Sequence, residues 1–435
     1  MALVSLQTPP EPAGRAPCTG DAGMRLLVLE GIAISVSLGT AVAAIGRLAL
    51  YLLLLWMLVR GRPLGSMRKP AVHKHWYFQW EWLVLLTIAY MACTLLWTTV
   101  EVPSGLWAWS EHARLLAIPA VFLLVHTRSE AQVVLRCLVY TQLFVVFSSW
   151  LLIADFEVPW ALAEHARRDF EVFGSYLEQS ISEAVTAFIV WHQRDWIMGE
   201  RRKWLAVLVS LTIVVHIIVF LPSRTGYLVV FALLCFSLAA YCTRRWLIGA
   251  AAASLLIFIS LSVLLGGEMS QARLAPLAQK LMNPQEQRER QISTDVRLVF
   301  WTASLKAMAE RPLLGYGSGS WNREYLRVTP VDIPTYRNIR DPHQMFLLWG
   351  VEGGAVGLSL LCASLLAMFA KSQQFARQDA LSLQTILIAL VVAGLTTSTI
   401  YGIGMGDFFC VGIGLLLSLG ATQHGTTNGD SCDTA

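Results

Sequence analysis

The chain has 435 residues, of which 55% are hydrophobic and only 14% are charged, and its mean hydropathy is +0.56. These values lie outside the usual range of soluble globular domains and predict an integral membrane protein, with the lipid bilayer as its first partner. The net charge of +4 is small for this length, and we expect no nucleic-acid partner.

Apolar stretches recur along nearly the whole chain. A stretch that crosses a hydrocarbon core of about 30 Å needs about 20 helical residues. Stretches of roughly this length lie near residues 24–42, 44–59, 80–100, 112–126, 131–154, 176–192, 204–221, 225–242, 246–265, 344–370, 380–400 and 406–421. We therefore predict an all-α polytopic membrane protein with about 12 transmembrane helices.

Basic residues set the orientation, because cytoplasmic loops carry an excess of Lys and Arg. Such stretches follow the second, sixth, eighth and tenth predicted helices, as RGRPLGSMRKPAVHKH, RDWIMGERRK, TRRW and AKSQQFARQ. All four follow even-numbered helices, which predicts that both termini are cytoplasmic. The predicted divisions are a cytoplasmic tail over 1–23, helices one to nine over 24–265, one large outward loop over 266–343, helices ten to twelve over 344–421, and a cytoplasmic tail over 422–435. We expect no signal-peptide cleavage.

One permanently charged residue breaks this pattern on the outward side. The stretch LPSRTGYLVV places Arg224 at the start of the eighth helix, after a short outward loop. Either the guanidinium reaches lipid headgroups at the interface, or it binds a specific anion there.

The outward loop is the one large hydrophilic segment of the sequence. Between residues 266 and 341 it has eleven Lys and Arg against eight Asp and Glu, a net charge of +3 that favours an anionic ligand. Within it, STDVRLVFWTASLKAMAERPLLGYG predicts a helix capped by Ser293 or Thr294, with Arg297 in its first turn. Its expected apolar face consists of Leu298, Trp301, Leu305 and Met308. The stretch GYGSGSW does not match a nucleotide-binding motif and predicts a flexible turn.

The loop closes with RDPHQMFLLWGVEGG ahead of the tenth helix. Asp341 as N-cap and Pro342 at the first helical position are a strong helix start, which predicts His343 in the first turn. The helix dipole favours a neutral imidazole that can accept a proton, although Asp341 acts in the opposite sense. The alternative is a surface histidine without a catalytic task.

Arg224, Arg297 and His343 are thus predicted at three helix N-termini on one side of the membrane. Cations are unfavourable there unless an anion joins them, and helix N-termini with arginines form phosphate sites. A lipid-linked diphosphate at the interface fits this description.

A family resemblance rests on three stretches in a fixed order. SRTGYL opens a helix, DVRLVFWTASLKAMAERPLLGYGSGSW lies in the long loop, and DPHQMFLLWGVEGGAVGLSLL enters the next helix. Together they resemble the O-antigen ligases, within the wider group of O-antigen ligases, polymerases and related bacterial oligosaccharide transferases. The sequence has His343-Gln344 where the family usually has His-Asn. RRDFEVFGSYLEQS is similar to the family's arginine-then-FG stretch, without its usual Asn-Pro pair, and adds Arg168, for which solvation of a short loop is the alternative.

The resemblance implies a GT-C-type glycosyltransferase bundle in the bacterial inner membrane, with its active site on the periplasmic face. Such an enzyme moves O-antigen polysaccharide from undecaprenyl diphosphate to a sugar hydroxyl of the lipid A-core. Arg224, Arg297 and Arg168 would bind the diphosphate, and His343 would take the proton of the attacking hydroxyl. Direct attack would invert the anomeric centre, and no nucleotide or other cofactor is needed.

Two other functions stay open at this point. An O-antigen polymerase uses the same donor but joins repeat units to each other, and often carries two sizeable outward loops where this sequence predicts one. A transporter or flippase for lipid-linked oligosaccharide performs no chemistry and places its polar residues near the bilayer midplane, whereas the charged candidates here gather at one rim. We make no prediction of the oligomeric state.

The carboxylates predict no metal site. A D-x-D motif is absent, and D-F-E occurs twice, at Asp155 with Glu157 and at Asp169 with Glu171. We interpret both pairs as solvated loop faces, because hard cations need several oxygen ligands, and we predict metal independence.

Three glutamates, Glu178, Glu183 and Glu352, lie in or near apolar runs, where ionisable residues are candidates for function. Glu352 is expected to be a packing or hydrogen-bonding group beside Gly353 and Gly354.

Overall fold

The computed structural model describes residues 19–62, 64, 79–163, 165–241, 284–329 and 338–422. Within these residues all regular structure is helical and no strand occurs, as predicted. The predicted ninth transmembrane helix, 246–265, lies outside the described residues. So do residues 266–283 and 330–337 of the long loop, and most of the basic stretch after the second helix.

The α-helices of the described residues are numbered here in chain order. They are α1 (Thr19–Ser35), α2 (Thr40–Val59), α3 (Trp80–Cys93), α4 (Val102–His112), α5 (Ala117–Leu124), α6 (Arg128–Ile153), α7 (Ala166–Asp169), α8 (Tyr176–His192), α9 (Arg194–Ile197), α10 (Lys203–Val219), α11 (Arg224–Tyr241), α12 (Pro284–Glu310), α13 (Trp321–Val328), α14 (Met345–Ser372), α15 (Arg377–Gly394) and α16 (Ile403–Ala421).

Five of the described helices are long and apolar enough to cross a membrane. They are Thr40–Val59, Arg128–Ile153, Arg224–Tyr241, Met345–Ser372 and, within α16, Gly404–Ala421. Two shorter apolar segments are Trp80–Leu96 and Lys203–Val219. The helical membrane architecture is therefore confirmed, whereas the count of twelve spans and the GT-C arrangement stay predictions. The predicted span at 112–126 is divided, because α4 ends at His112 and a 3-10 turn over Ala113–Leu116 precedes α5.

Helices α8 and α16 lie at the centre of the bundle. All side chains of α8 from Gln179 to Val190 are buried, and so are those of α16 from Met405 to Gly420. Helix α8 packs against α10, α11 and α15, and α16 packs against α5, α6 and α15. Because α8 is central and starts at one end of the bundle, side chains of its first turn can contact several neighbouring helices.

The long loop contributes α12 and α13, which pack on α14 and α4. The buried side chains of α12 are Phe300, Ala303, Ser304 and Ala307. This spacing is that of one helix face, and the three apolar members share a cluster with residues of α13 and α14. Of the predicted apolar face, Leu298 and Leu305 are more than half exposed, so these two leucines do not pack on the bundle. The buried face thus combines one large ring, Phe300, with small side chains, and it packs against the aromatic rings of α13.

Helix α12 also begins earlier than predicted. It starts at Pro284, a residue that suits the first helical turn, so Arg297 lies thirteen positions further along and in the middle of the helix. The prediction that Arg297 sits at a helix N-terminus is therefore wrong. Its interaction with an anion must depend on neighbouring helices and not on the dipole of α12.

The glycine-rich connection after α12 is a docked segment and not the predicted flexible turn. Its three glycines, Gly315, Gly317 and Gly319, have φ angles of 65°, 91° and 82°. The N–H groups of Tyr316 and Gly317 donate to backbone carbonyls of α14, both at 2.9 Å. A Cβ at Gly317 would lie 2.4 Å from the Cα of Thr98. Glycine is needed here for the left-handed backbone and for the close approach, so the glycines mark a fixed contact.

Candidate active site

Arg224 is the first residue of α11, as predicted. Ser223 fixes this helix start, because its hydroxyl accepts hydrogen bonds from the N–H of Gly226 at 3.0 Å and from the hydroxyl of Ser180 at 2.7 Å. The second bond ties α11 to α8. Gly226 permits the close approach of the two helices, since a Cβ there would lie 2.5 Å from the Ser180 hydroxyl oxygen. The Arg224 side chain is exposed at this end of the bundle.

Arg297 lies close enough to Arg224 for the two guanidinium charges to interact. Burial lowers the pKa of Arg297 below its ordinary value, while the phenol of Tyr176 acts to raise this pKa and the charge of Arg224 acts to lower it. Tyr176 is the first residue of α8. Three elements far apart in the sequence thus bring two arginines and a phenol together. Two neighbouring guanidinium groups favour an anion that can accept hydrogen bonds from both.

His343 lies in a turn just before α14 and not in its first turn. The helix begins at Met345, because the side-chain oxygen of Gln344 accepts from the N–H of Leu347 at 2.5 Å and acts as the N-cap. Asp341 instead closes the preceding turn, where its Oδ1 accepts from the N–H of His343 at 2.8 Å. The predicted N-cap, Asp341, lies about one turn before the actual N-cap, Gln344. Both residue types can cap a helix, so the sequence alone did not distinguish them.

The Asp341 turn holds His343 in an uncommon backbone conformation. Its φ is 51°, in the left-handed region that few residues other than glycine adopt. Asp341 Oδ1 also accepts from the hydroxyl of Ser398 at 2.5 Å and lies 3.5 Å from His343 Nδ1. The side chain of His343 is 46% exposed. The turn therefore presents the other imidazole nitrogen, Nε2, away from Asp341.

Phe300 connects the histidine to the arginines. The Phe300 and His343 ring centroids are 6.1 Å apart, and the indole of Trp301 donates to the carbonyl of Pro342 at 3.2 Å. Both contacts hold the histidine turn against α12. Phe300 follows Arg297 by three positions, so the two side chains share a face about 4.5 Å apart along the helix axis.

The aromatic rings of α13 fix Phe300 in turn. Its ring centroid lies 5.5 Å from that of Trp321 and 5.0 Å from that of Tyr325, both with edge-to-face geometry. The structure thus brings Arg224, Arg297 and His343 to one end of the bundle. It does so through side chains that no local sequence pattern indicates.

Arg168, the fourth predicted site residue, lies in the short helix α7. Its guanidinium forms an ion pair with the adjacent Asp169, with Nη2 3.0 Å from Oδ2. The assignment of Arg168 to a diphosphate rests on the resemblance alone.

The two D-F-E carboxylate pairs lie in the segment between α6 and α8 and interact with its other residues. Glu157 lies 3.5 Å from Arg167, and Glu171 is buried, where it accepts from the N–H groups of His165 and Tyr176 at 3.0 and 2.8 Å. The solvated-face interpretation is therefore wrong for Glu171. Among the described residues, no three His, Cys, Asp or Glu side chains are grouped in a way that could hold a metal ion.

Two of the three glutamates singled out in the sequence are bound to buried histidines. Glu352 Oε2 lies 2.7 Å from His112 Nε2, and Glu183 Oε2 lies 2.8 Å from His216 Nδ1, with all four side chains inaccessible to solvent. Glu352 is thus a hydrogen-bonding group, as expected. Both pairs join neighbouring helices inside the bundle.

Other buried charges were not identified from the sequence. Arg47 donates to both carboxylate oxygens of Asp407 at 2.6 and 2.9 Å, and Arg114 donates to the carbonyls of Ile400 and Tyr401 at 3.1 and 2.5 Å. A charged residue inside an apolar run was the available signal. These cations are compensated by the protein itself, so they hold helices together and do not form an open anion site.

The arrangement can bind an anion and remove a proton next to it. Two arginines supply positive charge, and a half-exposed imidazole beside them supplies a base. Fold and site together define an integral membrane protein with a cationic, histidine-containing site at one end of a helical bundle.

A comparison with known protein families narrows this class. Residues 207–362, about a third of the chain, match the family model described as O-antigen ligase, and this match supports membership of that family. The matched segment contains Arg224, Arg297 and His343 but not Arg168. The match supports a place in the superfamily of O-antigen ligases and polymerases, a superfamily of membrane enzymes. No curated protein matches the chain.

Proposed function

We propose that the chain is an O-antigen ligase of the bacterial inner membrane. It transfers O-antigen polysaccharide from undecaprenyl diphosphate to a sugar hydroxyl of the lipid A-core on the periplasmic face. The observation that supports this most is the gathering of Arg224, Arg297 and His343 at one end of the bundle, inside the segment that matches the family.

The reaction is one displacement at the anomeric carbon of the donor. The acceptor hydroxyl oxygen forms the new bond, and the bond from the anomeric carbon to the diphosphate oxygen breaks with its electron pair. His343 Nε2 takes the hydroxyl proton, while Asp341 beside Nδ1 orients the ring. Arg224 and Arg297 stabilise the charge that grows on the diphosphate, and Arg168 is a further proposed ligand. The anomeric centre is inverted because no covalent enzyme intermediate forms.

The two arginines supply what a divalent cation supplies in other diphosphate chemistry, so we propose that the reaction is independent of metal. No nucleotide or other cofactor takes part, because the lipid diphosphate is already an activated leaving group.

The proposal is tested in a strain that lacks the gene and makes O-antigen. We expect His343→Ala and Arg224→Ala to leave lipopolysaccharide without its polymer ladder while long chains accumulate on the carrier lipid, because only the final transfer is blocked. Gel analysis of lipopolysaccharide and of extracted carrier lipid measures both products. Arg311→Ala, outside the site, serves as the expression-matched control and should restore the ladder.

Two results would contradict the ligase assignment. A ladder reduced to single repeats identifies a polymerase that uses the same donor. Accumulation of lipid-linked chains only on the cytoplasmic face identifies a transporter or flippase.

A further inference from the structure

The end of the bundle opposite the proposed site includes the last turns of α8 and α11. Both helices begin near the site, with Tyr176 and Arg224 as their first residues, and they are 17 and 18 residues long. They therefore finish about 25 Å away, at a rise of about 1.5 Å per residue. Helix α15, which packs against both, begins at this end with Arg377. The basic stretches of the sequence predict that this end faces the cytoplasm.

Tyr241, the last residue of α11, lies beside the last turn of α8. Its hydroxyl is 3.1 Å from Nδ1 of His192, which is inaccessible to solvent. Its ring packs edge to face against that of Trp191, with the centroids 6.4 Å apart. Both partners belong to α8, so they fix the Tyr241 ring in one position. Tyr241 is nevertheless 40% exposed, so part of it lies open at the surface of the bundle.

Two arginines hold their guanidinium groups against this ring. The Cζ atom of Arg194 lies 5.9 Å from the Tyr241 ring centroid, and that of Arg377 lies 5.2 Å from it. Arg194 also donates to the carbonyl of Trp191 at 3.0 Å. Arg377 donates to the carbonyl of Ala240 at 2.7 Å. A guanidinium has five N–H donors, so both groups are fixed in place while most of their donors stay available.

The carboxylates nearest in sequence to these arginines interact with other residues. Asp195 accepts from the side-chain amide of Gln378, and Asp379 accepts from Arg128 at 2.8 Å. Within the ranges that the structure describes, neither of the two guanidinium groups on the Tyr241 ring forms an ion pair with a carboxylate. Two positive charges therefore share one aromatic ring without an anion bound directly to them.

Tyr316, at the other end of the bundle, has the same arrangement with its anions present. Arg311 and Arg327 lie over its ring, 4.7 and 5.5 Å from the centroid. There Arg327 forms ion pairs with both Glu310 and Glu324. Among the described residues the pair of arginines at the end of α11 lacks such carboxylates, so the same compensation requires an anion from outside the chain.

We propose that Arg194, Tyr241 and Arg377 form a binding site for the phosphate group of an anionic phospholipid from the surrounding bilayer. Headgroup phosphates lie at the depth where transmembrane helices end, and basic pockets between such helices on the cytoplasmic side bind anionic headgroups. Arginine suits this ligand because its N–H groups can donate in pairs to phosphate oxygens. A bound headgroup links the ends of α8, α11 and α15 and stabilises the folded protein. The inference does not depend on the proposed function, since this site lies at the other end of the bundle.

The test is native mass spectrometry of the purified full-length protein in detergent, titrated with dioleoyl phosphatidylglycerol. The mass shifts give the number of bound lipids and their apparent dissociation constants. Zwitterionic phosphatidylcholine is the reference lipid, and soluble glycerol phosphate tests whether a free phosphate suffices. The variants are Arg194→Gln, Arg377→Gln and Arg377→Lys. The matched control is Arg311→Gln, which replaces another exposed arginine that lies over a tyrosine ring.

We expect phosphatidylglycerol to bind the wild type and the control about tenfold more tightly than phosphatidylcholine does, and to bind each glutamine variant about tenfold more weakly than the wild type. Arg377→Lys keeps the charge but not the planar donor group, so its loss of affinity should be smaller than that of Arg377→Gln. This graded loss separates the effect of charge from that of a disturbed fold.

Three results overturn the inference. The first is equal affinity for phosphatidylglycerol in the wild type and both glutamine variants, or an equal loss in Arg377→Lys and Arg377→Gln. The second is equal affinity of the wild type for the two lipids. The third is glycerol phosphate that binds as tightly as the lipid, which assigns the site to a soluble phosphate. No step of this assay involves polysaccharide transfer, so a failure of the proposed function leaves its outcome unchanged.

Discussion

At the scale of single residues, two groups of arginines differ in how their charge is compensated. Arg47 and Arg114 are matched inside the bundle by a carboxylate and by backbone carbonyls, so their charge is already compensated. Arg224 and Arg297 instead lie near each other at the rim, where their charges repel. Both also lie in the segment that matches the family, and Arg297 shares a helix face with Phe300, which contacts His343, so the functional assignment falls on the second group.

Asp341 is a positioning residue for His343. Its side chain closes the turn by accepting from the N–H of His343, and it also lies beside the imidazole Nδ1. Substitutions can separate these two roles. Asp341→Asn keeps an oxygen for the N–H of His343 and for Ser398, so we expect kcat for transfer to fall by about tenfold or less. Asp341→Ala removes the acceptor and releases the left-handed turn, and we expect a loss of about 100-fold, the typical cost of misplacing a reacting group by about 1 Å. Steady-state kinetics of both variants measure this.

The matched control is Asp21→Asn, which removes a carboxylate from a half-exposed pair with Arg62 at the N-terminal end of α1. A KM for either substrate that changes as much as kcat, or equal losses in Asn and Ala variants, would contradict a positioning role for Asp341.

At the scale of elements, glycines determine how the loop helices dock. The kink of α14 at Gly354, with φ of 62°, meets the segment after α12, where a Cβ at Gly354 would lie 2.3 Å from the carbonyl oxygen of Leu313. The same docking brings α12 against the turn that carries His343. Elements of the site are therefore held by backbone contacts that larger residues would prevent.

Gly317→Ala should destabilise the protein. Alanine in a left-handed conformation costs about 1–2 kcal/mol, and its Cβ would also overlap the backbone at Thr94 and Thr98. We expect the apparent unfolding temperature of detergent-solubilised protein to fall by about 5 °C or more, measured as loss of the monodisperse peak after heating. Gly31→Ala, in open space on α1, should leave this temperature unchanged or raise it slightly. An unchanged midpoint for Gly317→Ala would show that the docking is not rigid.

Helix starts show where sequence patterns succeed and fail at this scale. The start of α11 at Arg224 was predicted correctly, because a short polar break between two apolar runs leaves few alternatives. The starts of α12 and α14 were wrong, because Ser293, Thr294 and Asp341 are good caps in isolation, while Pro284 and Gln344 begin the helices in the folded chain. Several residues near a helix start can act as its N-cap, and tertiary contacts decide which of them does so. The local sequence around one candidate does not contain this information.

At the scale of the whole molecule, composition predicted the helical membrane architecture, and the order of motifs predicted the family. The sequence also indicated that Arg224, Arg297 and His343 belong together. It could not indicate Phe300 between them, Tyr176 beside Arg297, or the two arginines on the ring of Tyr241, because each depends on contacts between helices far apart in the chain. The number of spans and the orientation in the membrane stay predictions from hydropathy and basic residues.

The central claim is that the two arginines at the rim hold a lipid diphosphate beside His343. It is tested most directly by the affinity of purified protein in nanodiscs for undecaprenyl diphosphate, the leaving group of the proposed reaction. The control is Arg311→Ala, whose guanidinium stacks on Tyr316 at 4.7 Å and lies fourteen positions beyond Arg297. We expect Arg224→Ala and Arg297→Ala each to weaken binding by about tenfold to 100-fold relative to wild type and to this control. Equal affinities in all four proteins would contradict the account.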